Sequence, residues 1–144
     1  MPDTPADILT LAEALRPALL RVSRRLRREA QKVGLSAQDA MLLGHIRKNP
    51  GIGVSGLAEA ERTSRPTMSA HVKRLEAEGL VAKTGDAEDG RRSGLTITAA
   101  GERKLEVIQQ ARNDWLAARL ARLAPEERAR LAAAAEPLLR LADE

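Results

Sequence analysis

The sequence predicts a mainly α-helical protein with one small β-hairpin, and three observations support this fold class. Apolar residues recur at three- and four-residue spacing along most of the 144-residue chain, which is the period of a helix that buries one face. This period changes to two only over a short stretch after residue 80, as expected for a pair of short strands. Glycine, proline and hydroxyl residues separate the periodic segments and are typical helix start and stop signals.

The first helical segment covers about residues 6–33. Pro17 lies inside it and is expected to kink or break the helix. Gly34 is a stop signal, and Ser36 is a suitable N-cap for a second helix that ends before Asn49. The apolar stripe of the first segment consists of Ile8, Leu11, Leu15, Leu19, Val22 and Leu26.

Two short helices joined by a tight turn are expected next. The first follows Ser55 and turns Leu57 and Ala58 inward, and the second begins at Ser64 with a proline in its first turn and stops at Gly79. This is the outline of a helix-turn-helix. Residues 80–84 and 95–98 then predict two strands, joined by the charged segment 85–94.

Two long helices complete the chain, one capped by Thr98 and one that begins at Pro125. Trp115 is the only aromatic residue, so the core of a monomer would be thin, and Leu/Ala-faced helices of this kind bury their stripes against a partner chain. We therefore expect a homodimer with Trp115 in its interface; the alternative place for Trp115 is the wall of an effector pocket. Within one structural domain, residues 1–33 and 99–144 form the dimerisation helices, and residues 36–98 form a winged helix-turn-helix region.

Composition limits the possible functions. The net charge of +4 and the pI near 10.1 favour an anionic partner such as nucleic acid. The chain has no cysteine, which excludes disulfides and thiolate metal sites. No apolar run approaches membrane-spanning length, and the acidic N-terminus is unlike a signal peptide, so we expect a cytoplasmic protein without membrane contact. We expect no cofactor and no metal, because two histidines without any cysteine are weak evidence for a metal-binding site.

The helix of residues 64–78 has a face suited to the DNA major groove. At about 100° per residue, Met68, Val72 and Leu75 share a narrow arc and face the core. Small, hydroxylated and basic residues lie opposite, where they can approach bases and neutralise phosphates. The alternative interpretation of this helix is a solvent-exposed amphipathic helix without a DNA contact. The neighbouring hairpin favours the DNA-binding interpretation. The opposite face and its flanks consist of Pro66, Thr67, Ser69, Ala70, Lys73 and Arg74.

The segment 85–94 carries Arg91 and Arg92 at its tip. Arginine on a flexible loop beside a helix-turn-helix is typical of a wing that enters the narrow minor groove. Asp89 lies two residues before Arg91 and can hydrogen-bond its guanidinium. A charged solvent-exposed loop is the alternative for this segment taken alone.

The order of residues resembles the MarR family of bacterial transcription regulators over essentially the whole chain. The resemblance is carried by TMSAHVKRLEAEGLV at residues 67–81, DAEDGRR at residues 86–92 and LTITAAG at residues 95–101. It implies a homodimer whose helix 64–78 enters the major groove, while Arg91, oriented by Asp89, enters the minor groove of a pseudo-palindromic double-stranded operator. The expected DNA-binding residues are Ser64, Arg65, Pro66, Thr67, Ser69, Ala70, His71, Lys73, Arg74, Asp89, Arg91 and Arg92.

Regulation is less constrained than DNA binding. The family implies a repressor that a small-molecule effector releases, but no motif of the chain identifies the effector. Peroxide sensing as in one branch of the family needs a cysteine, which is absent. An enzyme is not expected, because the chain lacks a phosphate loop, a nucleophile with its base and a metal constellation. The remaining alternative is a winged-helix protein-interaction module without DNA binding.

Overall fold

The structure is a computed structural model that describes residues 5–85 and 94–143. Within these ranges the chain is mainly helical with one small hairpin, which confirms the expected fold class. The elements are α1 (Pro5–Lys32), α2 (Ala37–Lys48), α3 (Val54–Ala60), α4 (Arg65–Ala77), β1 (Val81–Thr84), β2 (Gly94–Ile97), α5 (Ala99–Leu120) and α6 (Pro125–Ala142).

Three helices begin at the hydroxyl residues that the sequence indicated as N-caps. The Ser36 hydroxyl accepts the Asp39 amide proton at 3.0 Å, and the Ser64 hydroxyl accepts that of Thr67 at 3.3 Å. Thr98 does the same for the amide of Gly101 at 3.1 Å, before α5. Each bond satisfies an amide that has no partner inside the helix, so local chemistry fixes where these helices begin.

Two expectations about helix ends need correction. Pro17 does not break the first helix, because α1 runs through it without interruption. The surrounding residues are exposed, so the carbonyl that loses its amide partner at Pro17 can bond to water instead. The third helix does not follow Ser55 either: α3 begins at Val54 with Gly53 as its N-cap, and Ser55 lies in its first turn.

The hairpin is antiparallel and is extended by one residue from another part of the chain. Val81 lies opposite Ile97, and Thr84 lies opposite Gly94. On the other side of β2, the amide of Leu95 donates to the carbonyl of Ile52 at 2.8 Å, and the amide of Gly51 donates back to the carbonyl of Leu95 at 2.8 Å. The base of the hairpin is thereby fixed to the turn between α2 and α3.

The core lies under the helix-turn-helix and the hairpin. Leu42, Leu43 and Ile46 of α2 pack with Leu57 of α3 and with the buried face of α4, and α5 closes this cluster. The long terminal helices contribute little to it: α1 buries only Glu29 and Ala30, and α6 buries no residue. Large apolar side chains remain exposed on these helices and on α5, at Ile8, Leu9, Leu11, Leu19, Leu20, Val22, Val107, Leu131, Leu139 and Leu141.

The total surface agrees with this unequal distribution. The chain exposes 10543 Å², whereas a compact monomer of 15.6 kDa exposes roughly 7,200 Å². An excess of this size is expected when long helices project from a small core. None of the helices in residues 5–85 and 94–143 is both long and apolar enough to cross a membrane.

Candidate nucleic-acid interface

Helix α4 has the two faces that its sequence predicted. Met68, Val72 and Leu75 are 0%, 2% and 0% exposed, respectively, and anchor the helix to the core. The helix therefore cannot roll about its axis without exposing this apolar cluster, which fixes the orientation of its outer face. The outer residues are exposed at Arg65, Pro66, Thr67, Ala70, Lys73 and Arg74, and half-buried at Ser69 and His71.

The start of α4 orders two hydroxyl groups. The Ser64 hydroxyl accepts the Thr67 amide proton and donates its own proton to Oγ1 of Thr67 at 2.8 Å. Because Thr67 Oγ1 accepts this bond, the proton of the Thr67 hydroxyl is left to donate elsewhere. Ser64 thus acts in capping the helix, while Thr67 presents a donor on the exposed side, as a contact with a phosphate oxygen requires.

The middle of the outer face combines a small residue with a cation. Ala70 and Lys73 are one turn apart and both exposed. A methyl side chain permits close approach of the helix to a groove, and the flexible ammonium can reach a phosphate. Among the described residues, neither Lys73 nor Arg65 has a salt bridge, so within that part of the chain both charges are uncompensated.

Arg74 differs from the other basic residues of α4. Its Nη2 atom donates to Oδ1 of Asp39 on α2, and it lies 3.2 Å from Nδ1 of His71. Asp39 is buried, with 8% of its side chain exposed, whereas 48% of the Arg74 side chain is exposed. The sequence indicated Arg74 as a phosphate contact, but in the absence of DNA its guanidinium is bound to a carboxylate of the same chain. Nothing in the local sequence marked Asp39, because the two residues are 35 positions apart.

The base of the wing lies beside the C-terminal end of α4. Lys83 Nζ of β1 is 3.8 Å from Oε1 of Glu76, which joins the hairpin to this helix. Asp89, Arg91 and Arg92, which the sequence indicated as the minor-groove element, lie outside the described residues. Their contribution to the interface therefore stays a prediction.

A cavity of about 830 Å³ lies between α1, α2 and α5. Its apolar wall includes Leu19, Val22, Leu26 and Met41, and two guanidinium groups border it. The lining residues are Leu19, Val22, Ser23, Leu26, Arg27, Ala37, Gln38, Ala40, Met41 and Arg112. Trp115 is not one of them. Its ring stacks against Arg119, whose guanidinium carbon is 4.3 Å from the ring centroid, and the guanidinium carbon of Arg25 is 5.7 Å from the same centroid.

The part of the chain that the structure describes has no group of three potential metal ligands. His45 lies 3.2 Å from Oε1 of Glu61 through its Nδ1 atom, and so joins α2 to the turn after α3. His71 is next to Arg74 on α4. The two histidines therefore lie in separate side-chain contacts.

Comparison with known proteins identifies the family. The MarR family profile matches residues 33–92. An HTH-type transcriptional regulator of Mycobacterium bovis is 31% identical over 93% of this chain and 94% of its own. HTH-type transcriptional repressor MdtR of Bacillus subtilis is 27% identical over 88% of this chain and 77% of its own.

Solved structures agree with the sequence relatives. A transcriptional regulator protein of Pseudomonas aeruginosa is 35% identical, with a TM-score of 0.82 over 99% of both chains. A mutant of Staphylococcus aureus MepR bound to an oligodeoxyribonucleotide has the same fold, with a TM-score of 0.69, 18% identity, and coverage of 92% of this chain and 98% of its own. The chain is a member of the MarR family of DNA-binding transcription regulators.

Proposed function

We propose that two copies of this chain bind a pseudo-palindromic operator, with α4 of each copy in the major groove of one half-site. The observation that carries the proposal is the outer face of α4: small, hydroxyl and basic side chains are exposed directly opposite a fully buried apolar stripe. Such a face can approach base edges while its charges meet phosphates. Two symmetric helices would read half-sites about one helical turn apart, roughly 34–36 Å.

A second copy of the chain is the partner that best accounts for the exposed apolar residues of α1, α5 and α6. These helices leave large aliphatic side chains in solvent, and α6 buries no residue within a single chain. Exposed apolar surface of this extent is unfavourable in water and marks an interface. A twofold axis through these helices would also produce the two equivalent α4 helices that a pseudo-palindrome needs.

The proposed contacts follow from exposure and chemistry. Thr67 and Ser69 donate to phosphates or base edges, and Arg65 and Lys73 neutralise phosphates. The small side chain of Ala70 allows the helix to enter the groove. Ser64 and Pro66 shape the start of the helix, and His71 is a further donor at its flank. From the wing, Arg91 enters the minor groove with Asp89 orienting it, and Arg92 meets the backbone.

Repression is the proposed outcome, because a dimer on an operator that overlaps a promoter occludes it. The relative MdtR of Bacillus subtilis is a transcriptional repressor, which supports repression as the outcome.

The cavity between α1, α2 and α5 is the proposed site of an effector. The body of the effector would contact the aliphatic wall, and its anionic group would meet Arg27 or Arg112. A regulator of this kind meets its operator in the cytoplasm.

The proposed function is tested by selecting binding sequences from a random duplex library with the full chain. We expect enrichment of inverted repeats with half-site centres about one helical turn apart. Protection mapping of the DNA that flanks its own gene should then find the same motif. If no sequence is enriched over non-specific duplex, the chain would instead be a winged-helix protein-interaction module.

We predict that Lys73→Ala weakens binding to all duplexes to the same extent. Each lost phosphate contact lowers the slope of log affinity against log salt by about 0.9, so a dimer should lose roughly 1.8. Fluorescence anisotropy with the selected operator and with a scrambled duplex, at four salt concentrations, measures both quantities. Ser69→Ala should leave the slope unchanged and alter the preference among operator variants.

Arg122→Ala is the matched control for Lys73→Ala, because it removes the same charge from an exposed residue after the far end of α5. Its position is about 33 Å along that helix from the hairpin. The control should change the slope by less than half of the Lys73→Ala effect. Equal effects of the two variants would show that only net charge matters, and unaltered binding in both Lys73→Ala and Ser69→Ala would mean that another face meets the DNA.

The wing gives a separate prediction, on residues outside the described part of the chain. Arg91→Ala should weaken operator binding by on the order of 1–3 kcal/mol per contact, with the larger loss on A·T-rich flanks. Arg91→Lys should recover only part of the loss, because an ammonium is more strongly hydrated and lacks the planar fork. Asp89→Ala should also weaken binding, since Arg91 loses the carboxylate that orients it. Tighter binding by Asp89→Ala at fixed salt would show that the wing acts only as diffuse positive charge.

A further inference from the structure

Asp39 is a buried carboxylate in the first turn of α2, in a region that is otherwise mainly aliphatic. Asp39 is 5% exposed as a whole residue, and its neighbours along α2 include the buried Ala40 and Leu42. The Ser36 hydroxyl accepts the proton of the Asp39 amide. The group that compensates the carboxylate is the guanidinium of Arg74 on α4, which donates from Nη2 to Oδ1.

Burial makes this pair asymmetric. Arg74 is half-exposed and would remain hydrated if it left, but Asp39 would then be a buried charge without a partner. Removing the partner of a buried charge is strongly unfavourable, so a phosphate contact of Arg74 would first have to offset this cost. The pair therefore opposes release of the Arg74 guanidinium to the DNA backbone.

His71 forms a third member of this cluster. Arg74 Nη2 is 3.2 Å from Nδ1 of His71, within hydrogen-bond distance of that ring nitrogen. The same arginine that holds α4 to α2 therefore also contacts a side chain at the flank of the DNA-facing surface.

The turn of α2 that carries Asp39 has a second neighbour. At about 100° per residue, Ala37 and Met41 lie roughly 160° around α2 from Asp39, and both line the cavity between α1, α2 and α5. One side of this turn is thus a wall of the cavity, and the other side is bound to α4.

We propose that Asp39 and Arg74 form an interhelical brace that sets the angle at which α4 projects from the winged domain, and that Arg74 is a positioning residue rather than a phosphate contact. This rests on the proposed function of α4 as the helix that enters the major groove. The brace acts on affinity through the orientation of Thr67, Ser69 and Lys73, because these residues are on the same rigid helix.

The test compares Arg74→Ala, Asp39→Asn and the double variant with the wild-type dimer. Operator affinity is measured by fluorescence anisotropy across a salt series, and thermal unfolding is recorded for each protein. If the brace exists, each single variant weakens operator binding by about tenfold, the slope against salt is unchanged, and the double variant is no weaker than either single variant. Arg74→Lys recovers part of the affinity, because it restores the charge without the planar fork.

Two results would overturn the brace. If Arg74 meets phosphates, Arg74→Ala lowers the salt slope by roughly 1.8 per dimer, and Asp39→Asn tightens binding because it frees the guanidinium. If the pair only supports folding, both variants lower the melting temperature while operator affinity at a temperature well below it stays unchanged. Asp39→Asn is almost isosteric, so the sign of its effect on affinity decides the question even if Arg74→Ala folds poorly.

Lys73→Ala, measured in parallel, separates the brace from the proposed function. A lower salt slope in Lys73→Ala with an unchanged slope in Arg74→Ala supports both. A lower slope in both variants overturns the brace alone. Unaltered affinity and slope in every α4 variant would show that α4 does not meet DNA, and would overturn the proposed function together with the brace.

Discussion

Leu11→Asp is expected to convert the dimer to a monomer and to weaken operator binding by about 100-fold. Leu11 lies on the apolar stripe of α1 and is 58% exposed in the single chain, so its proposed burial comes from the second copy. An aspartate there would place a charge in an apolar interface without a partner. A monomer binds one half-site and loses the gain from linked half-sites, which is typically 10²–10⁴-fold.

Light scattering at micromolar concentration and anisotropy with the selected operator measure the two effects. Thr10→Asp is the matched control: it adds the same charge one residue earlier, at an exposed position roughly 150° around α1 from the centre of the stripe. This control should stay dimeric and bind within about twofold of wild type. A folded wild-type monomer, or a Leu11→Asp dimer with wild-type affinity, would show that α1 is not in the interface.

Sequence reasoning succeeded where short-range chemistry decides the structure. Ser36, Ser64 and Thr98 cap their helices as expected, because a hydroxyl that accepts an amide proton three residues later is a local event. The buried face of α4 was also predicted, since Met68, Val72 and Leu75 are aligned by helical periodicity alone. These local features, together with the residues shared with the MarR family, were enough to predict the fold class.

Sequence reasoning was incomplete where contacts cross the chain. Arg74 shares its charge and helix face with Lys73, so only the position of α2 distinguishes a residue bound to Asp39 from an exposed cation. The bridge between Ile52 and Leu95 joins segments more than forty positions apart and leaves no periodic signal. Pro17 shows the converse: its local preference predicted a kink or a break, but one missing hydrogen bond in an exposed stretch is insufficient to end a long helix.

The junction between the hairpin and α5 has no room for an added methyl group. We expect Gly101→Ala to lower the free energy of unfolding by about 3 kcal/mol, the upper part of the usual range for overpacking. A Cβ on Gly101 would collide with the carbonyl oxygen of Leu80 and lie 2.6 Å from Cγ1 of Ile97. The carbonyl cannot easily move away, because it accepts the Thr98 amide proton at 3.0 Å while the Thr98 hydroxyl donates to the carbonyl of Gly79 at 2.6 Å.

Gly44→Ala is the matched control, because it adds the same methyl group to another helical glycine. Gly44 lies in the middle of α2, and apart from its chain neighbours and the backbone of its own helix, no heavy atom of the described residues comes within 4 Å of the added Cβ. Replacing a helix-interior glycine by alanine lowers the backbone entropy of the unfolded chain, so this variant should gain roughly 0.5–1 kcal/mol. Urea unfolding of both variants at one protein concentration measures the difference. We expect the two variants to change the free energy of unfolding with opposite signs. If both variants are destabilised equally, α2 near Gly44 is covered, for example by the second copy. If both are tolerated equally, the contact of Gly101 with Leu80 relaxes without cost.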